Sequence, residues 1–384
     1  MRRMAQLYGL RVCGLIARRE VLEVECEKLR AAVVGAAGYA GIEVTRLICG
    51  HPGFELVLAA SEANAGQRLS DLYPALRGVT DLEFEVPDAE RIASSCDIAF
   101  LAVPHTAAMA VVPGLLEKGI AVIDLSADYR LHDAAVFERW YKAEHTSPEL
   151  LVRAVFGQPE LHREALSSLA DAWCEKGAEA APLVACAGCY VTATLLAASP
   201  ALARGLCADR PLVANAMSGV SGAGKGANAK THFCNASDDV KAYSAGTHRH
   251  TPEIEQELSE VAGRDVKVVF IPHLVPMKRG LLSTVTMELA EGVTFDNALN
   301  EYADYYDGEP FVHFIGTEMP RTMAVVGGNH AQVGLAYSSE TNMLIASCAI
   351  DNLDKGAASQ AVQCANIVCG FDERAGLDYP VPVV

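Results

Sequence analysis

Hydrophobic positions change their spacing about halfway along this chain. In the first half they gather in short, nearly unbroken runs: Arg30–Val34, Phe54–Ala60, Ile98–Val103, Ala121–Leu125 and Val184–Ala187. Runs this short and this apolar read as strands buried on both faces. Between them, Ala40–Cys49 and Ala107–Lys118 have helical spacing, and the alternation predicts a parallel, doubly wound sheet in which Val184–Ala187 is the last strand. Beyond residue 210 the runs lengthen and alternate with polar residues. Pro211–Met217, Lys267–Leu274, Leu281–Leu289, Ala331–Ser338 and Met343–Ile350 predict antiparallel strands, the last two joined by the turn Ser339–Asn342. Helices are expected over Pro252–Val261 and Thr294–Tyr305, covering one face, and over Lys355–Cys369.

Composition narrows the function classes. At 384 residues, two domains are the default, and 51% hydrophobic with 21% charged residues is a globular balance. A net charge of −17 without a compensating basic block argues against nucleic acid or a membrane surface as partner. An anionic substrate must then be held by a few local cations or helix N-termini. Twelve irregularly spaced cysteines suit a reducing cytoplasm. The chain has no run long and apolar enough for a membrane span. The first 29 residues carry both Arg and Glu, which weakens a signal or transit reading and leaves a short helix or frayed extension.

Two local patterns carry chemistry. Gly35-Ala-Ala-Gly38-Tyr-Ala-Gly41 joins the first strand to the first helix. Glycines there let the backbone approach a pyrophosphate at a helix N-terminus, as in a Rossmann-type dinucleotide site. Gly35, Gly38, Tyr39, Ala40 and Gly41 are the expected contacts. An acid at the end of the second strand, gripping the ribose diol, is the usual NAD signal, and here that strand ends Ala60-Ser61-Glu62. Ser61 and Arg68 suit an adenosine 2′-phosphate and Glu62 opposes it, which leaves NADP and NAD both open from these residues. The second pattern, Gly188-Cys189-Tyr190, puts a thiol between a strand and the start of a helix, where the dipole and free N–H groups favour the thiolate. A nucleophilic cysteine beside a nicotinamide site predicts hydride transfer through a thioester.

Several further segments make the resemblance specific. They are Asp124–Leu131 and Phe156–Leu161, then Ser218-Gly-Val-Ser-Gly-Ala-Gly-Lys225 and His248-Arg-His-Thr-Pro-Glu-Ile254. Phe270–Pro276 with Arg279-Gly280, and Asp351–Ala358, complete the series. With the two patterns above and in this order, the chain resembles the N-acetyl-gamma-glutamyl-phosphate reductases of the aspartate-semialdehyde dehydrogenase superfamily from about residue 30 to its end. The resemblance implies NADPH-dependent reduction of an acyl phosphate with release of inorganic phosphate. It also implies a C-terminal segment folded back on the nucleotide domain and a second domain that builds a homodimer or homotetramer. The expected division is an extension, 1–29; a nucleotide-binding domain, 30–187 with 352–384; and a catalytic and dimerisation domain, 188–351.

Roles follow by resemblance. Cys189 is the nucleophile and His250 its acid–base partner, with His248 a competitor; histidine suits proton transfer near neutral pH. Arg130 is the phosphate arginine, Arg249 and Arg279 are carboxylate candidates, Ser221 an anion contact and Asn352 a cofactor contact. His273 is expected at a strand end, shaping the site. The family turn usually carries Asn-Pro where this chain has Cys186-Ala187. Cys186 reads as a tolerated buried substitution, as half of a 186–189 redox switch, or as a zinc ligand with the histidine pair; the last lacks a second cysteine pair at ligand spacing. Rival functions are aspartate-semialdehyde dehydrogenase, a reductase of a carrier-bound aminoadipyl or glutamyl phosphate, and a catalytically silent nucleotide binder, which would need no nucleophile.

Overall fold

The computed structural model describes residues 27–229 and 231–381; the expectation for the extension falls almost wholly outside them. Seven strands form the first sheet: β1 (Leu29–Val34), β2 (Phe54–Ala60), β3 (Phe84–Glu85), β4 (Ile98–Leu101), β5 (Ala121–Asp124), β6 (Val155–Gly157) and β7 (Leu183–Cys186). All pair in parallel, in the order β3-β2-β1-β4-β5-β7-β6. Helices bury both faces, which is why these strands are apolar throughout. β7 is the last strand of this sheet in chain order, and β6 pairs outside it at the edge. The expected helix 107–118 is a 3₁₀ turn, Ala108–Ala110, followed by a short helix, Val112–Glu117, with Pro113 at its start.

The second sheet contains β8 (Leu212–Gly219), β9 (Lys241–Ala242), β10 (Val268–Val275), β11 (Leu281–Glu288), β12 (Val312–Phe314), β13 (Ala331–Ser338) and β14 (Met343–Ile350). Its order is β12-β13-β14-β11-β8-β10-β9. β8 and β10 run parallel, not antiparallel, because β11 enters the sheet on the other side of β8. The remaining pairs are antiparallel except β12 with β13, so the sheet is mixed and mostly antiparallel.

Six helices matter for the site: α1 (Tyr39–Cys49), α2 (Pro159–Lys176), α3 (Cys189–Ala203), α4 (Thr251–Ala262), α5 (Phe295–Tyr306) and α6 (Ala358–Val368). α3 is buried from Tyr190 to Leu202 and packs on β11 and β14 as the centre of the second core. A helix apolar all round requires such a place. Tyr302 of α5 holds it by donating to the Ala197 carbonyl at 2.7 Å. α6 packs on α1 and α2. Gln360 reaches across the seam, donating to Thr192 Oγ1 at 3.0 Å. The wholly buried Lys355 donates to Glu160 and Gln363 at 2.6 and 2.7 Å. An ion pair this deep is tolerable because both charges are hydrogen-bonded.

Candidate active site

The site forms where β7 hands over to α3. Gly188 is the extended N-cap residue of α3 and Cys189 its first residue, half-buried on a floor of second-domain core. A Cβ on Gly188 would stand 2.5 Å from His250 Nε2 and 3.0 Å from Arg130 Nη1. Only glycine leaves room for the imidazole and the guanidinium to converge beside the thiol. Gly356 is equally constrained, since its Cβ would lie 2.6 Å from Cys189 Cβ.

Electrostatics in this corner differ from expectation. Burial pushes the Cys189 thiol up to about 11; the helix-start N–H groups and Arg130 pull the other way without prevailing. A thiol is therefore at rest where a thiolate was predicted. Burial, then the neighbouring His248 and Arg130, hold His250 well below the usual histidine range. The neutral imidazole beside a protonated thiol is an acceptor. His248 is lowered to about 4, chiefly by burial, and its Nδ1 accepts the His250 backbone N–H at 3.1 Å. That bond orients the His250 backbone, while the imidazole facing the Gly188 turn belongs to His250.

Arg130 is 5% exposed and donates to the fully buried Glu253 at 3.3 Å and to the Leu125 carbonyl at 2.9 Å, leaving its Nε unpaired. A cavity of about 140 Å³ opens over Cys189, lined also by His105, Tyr141, Tyr243, His248 and Arg249. Arg249 stacks 5.2 Å above the Tyr141 ring. His273, by contrast, sits inside β10 paired with Ala242, and its carbonyl accepts the Tyr190 hydroxyl at 2.9 Å.

Three contributors were not singled out in the sequence. His105, lowered to about 3 chiefly by burial, lines the cavity with an unpaired Nδ1. The next residue, Thr106, has φ of 73°, held because buried Asp128 accepts the Thr106, Ala108 and Met109 N–H groups. Strain of that kind gathers at functional sites. Tyr141 and Glu253 form the other pair, 3.1 Å apart. Pro104-His105 at the carboxyl end of a parallel strand was a readable signal, since ligands bind there in open α/β sheets. Nothing marked Glu253 as more than a surface acid.

The glycine loop is built for close approach. Gly35 has φ of +82°, and its Cβ would lie 2.3 Å from the Ala102 carbonyl; one on Gly41 would lie 2.2 Å from the Gly35 carbonyl. Gly38 is the N-cap residue of α1 and brings no side-chain cap to the first-turn N–H groups. A cavity of roughly 850 Å³ adjoins it, lined by Tyr39, Ser221, Lys225, Arg279 and Leu353 among others. Lys225 closes one edge by donating to the Ala37 carbonyl and the Tyr73 hydroxyl at 3.2 and 3.0 Å. These residues fit a dinucleotide. Ser61 donates to Asn64 at 3.1 Å, and the largely exposed Arg68 faces Glu83 at 4.0 Å.

Some candidates are used otherwise. Arg279 donates to Glu43 at 2.7 Å, to Asp351 at 2.9 Å and to Asp354 at 2.8 Å, so its charge is already matched. Asn352 bridges the Ser221 hydroxyl at 2.9 Å and the Gly280 N–H at 2.7 Å. Ser221 and Asn352 thus form one strut beside the larger cavity. Cys186 is buried in the nucleotide-domain core in hydrogen-bonding contact with Cys364 of α6, whereas Cys189 packs on the other core. The 186–189 switch has no support in that arrangement. Cys186 and the histidine pair are not among the metal-compatible clusters of the described residues.

The chain is similar to known proteins along most of its length. Residues 30–169 match the family model described as semialdehyde dehydrogenase, NAD binding domain, and 189–352 match semialdehyde dehydrogenase, dimerisation domain. The N-acetyl-gamma-glutamyl-phosphate reductase of Syntrophobacter fumaroxidans is 48% identical over 91% of this chain and 98% of its own length. That of Desulforudis audaxviator is 44% identical over 92% and 99%. Among solved structures, aspartate semialdehyde dehydrogenase II of Vibrio cholerae superposes with a TM-score of 0.67 at 16% identity, covering 89% of this chain and 98% of the other. The Candida albicans aspartate semialdehyde dehydrogenase solved with NADP gives 0.66 at 16% identity over the same shares, a likeness of fold. No helix among the described residues is long and apolar enough to cross a membrane. With both halves matched and close relatives sharing nearly the whole chain, this protein belongs to the N-acetyl-gamma-glutamyl-phosphate reductase family of the semialdehyde dehydrogenases.

Proposed function

We propose that this protein reduces N-acetyl-gamma-glutamyl phosphate to N-acetyl-glutamate 5-semialdehyde with NADPH, releasing inorganic phosphate, as a cytoplasmic homodimer or homotetramer in arginine biosynthesis. The observation that carries this reading is the meeting of Cys189, His250 Nε2 and Arg130 around Gly188. His250 takes the Sγ proton as sulfur attacks the acyl carbon. The carbon–oxygen bond to phosphate breaks, and phosphate leaves with the bonding pair toward Arg130. With its pyrophosphate on the Gly35–Gly41 loop, NADPH would supply the hydride. Once hydride has reached the thioester carbon, the His250 imidazolium holds the new oxyanion. The carbonyl then re-forms, the carbon–sulfur bond breaks, and sulfur recovers the proton from His250. Arg249, with His105 and Tyr141 beside it, is suited to the substrate's α-carboxylate end, a role that the pairing of Arg279 leaves to it.

The test is phosphate-dependent NADP reduction by N-acetyl-glutamate semialdehyde, with aspartate semialdehyde and NAD as comparisons. Wild type should turn over the acetylated substrate, and Cys189→Ser should lose about a thousand-fold or more in kcat. Preference for aspartate semialdehyde, or no turnover by folded, reduced protein, would overturn the reading.

A further inference from the structure

Outside the catalytic cavity, one group of side chains has the composition of a cation site. His162 of α2 and Glu257 and Glu260 of α4 each offer a ligand atom, all within 4.8 Å of one another. His162 Nε2 lies 2.6 Å from Glu257 Oε2, and His132 Nδ1 lies 3.1 Å from Glu260 Oε1. The group joins the two halves of the molecule: His132 and His162 come from the nucleotide half, the glutamates from the helix that His250 begins.

We propose that His162, Glu257 and Glu260 bind a zinc-class divalent cation that staples α4 to the nucleotide half. Three observations point to a ligand and beyond an ordinary ion pair. The donor set, one imidazole and two carboxylates with a second imidazole beside them, matches the nitrogen and oxygen ligands that zinc accepts, and leaves an open position for water. Glu257 and Glu260, three apart on a helix, present their carboxylates on one face. The orientation is enforced from behind. Gln256 Nε2 donates to Glu257 Oε1 at 2.8 Å and to the Arg130 carbonyl at 3.0 Å, while its Oε1 accepts the His132 N–H at 2.9 Å. Such outer contacts fix ligating carboxylates in metal sites.

The backbone contributes too. His162, with φ of −123° and ψ of 23°, stands at a kink where two helical segments of α2 meet. Burial is graded as entry from solvent requires: Glu257 is 1% exposed, His162 20% and Glu260 47%. Zinc–ligand bonds of about 2.0–2.1 Å set donor atoms roughly 3.3 Å apart in a tetrahedron. His162 and Glu257 need to part by well under an ångström, and the exposed Glu260 closes the third side. The proposal is independent of the substrate assigned above.

The experiment uses chelator-treated, full-length, reduced protein titrated with zinc chloride by calorimetry, with thermal unfolding in parallel. Cobalt absorption identifies the ligands. Wild type should take up one zinc per chain outside the thiol site, with a raised Tm and a cobalt spectrum free of thiolate charge transfer. Glu260→Gln, at a half-exposed position that should fold normally, should lose about ten-fold or more in affinity and the gain in Tm. His162→Ala should lose both as well. No zinc uptake, equal affinity in wild type and Glu260→Gln, or a cobalt–thiolate band reporting Cys189 as the ligand would each overturn the proposal.

Discussion

Cys189 stands at a helix start and is still a thiol, because burial costs the anion more than the first-turn N–H groups return. The sign is definite. With the thiol raised from 9.0 to about 11, thiolate is a minor species at neutral pH, and its fraction grows about ten-fold per pH unit until the two meet. Iodoacetamide labelling of Cys189 in ligand-free protein, followed by mass spectrometry of its peptide, should accelerate by that factor from pH 7 to about 10. A plateau across neutral pH would instead reveal a standing thiolate–imidazolium pair. That Cys189, the histidine pair and Arg130 come together was legible because each lies in a short motif. His105 and Glu253 were not. Their roles arise from a turn held by Asp128, 20 and more residues away, and from a contact between Arg130 and Glu253 across the two halves.

At the scale of elements, β2, β13 and β14 have the bounds their spacing predicts, since seven or eight residues are enough for a period to show. β3 and β6, at two and three residues, are too short to carry one. The polar 18-residue α2 shows only a weak apolar stripe, because it packs on α6 along a narrow seam. Strand direction escaped as well: alternation tells which face is buried but not which neighbour lies alongside, and β8 with β10 is the case in point. The elements are joined by hubs that no periodicity reports. Arg279 ties α1, through Glu43, to Asp351 and Asp354, both wholly buried. Burial and the adjacent carboxylates already raise Asp354. Arg279→Ala should strand these acids and lower stability by about 3–5 kcal/mol, read as a fall in Tm that is smaller at low pH, where the acids are neutral. A Tm equal to wild type at neutral pH would show that the hub is dispensable.

Over the whole molecule, the net charge of −17 and an anionic substrate pull against each other. Attraction is confined to a few groups at short range, Arg130 beside Cys189 and Arg249 on the cavity wall, and Arg279 adds little because its charge is already matched. Repulsion comes from carboxylates spread over the entire surface, and assembly of like copies would deepen it. Salt separates the two ranges. The Debye length of about 8–10 Å near physiological ionic strength screens surface charges acting across the solvent and leaves contacts inside the buried site largely intact. Raising potassium chloride from about 10 to 150 mM should therefore increase kcat/KM for the acyl-phosphate direction by roughly two-fold, through faster encounter, with kcat little changed. In the reverse direction, the same series should lower the KM for inorganic phosphate. A fall in kcat/KM with salt would mean that the arginines steer the substrate over distances longer than their burial suggests, and that the acidic surface does not govern encounter.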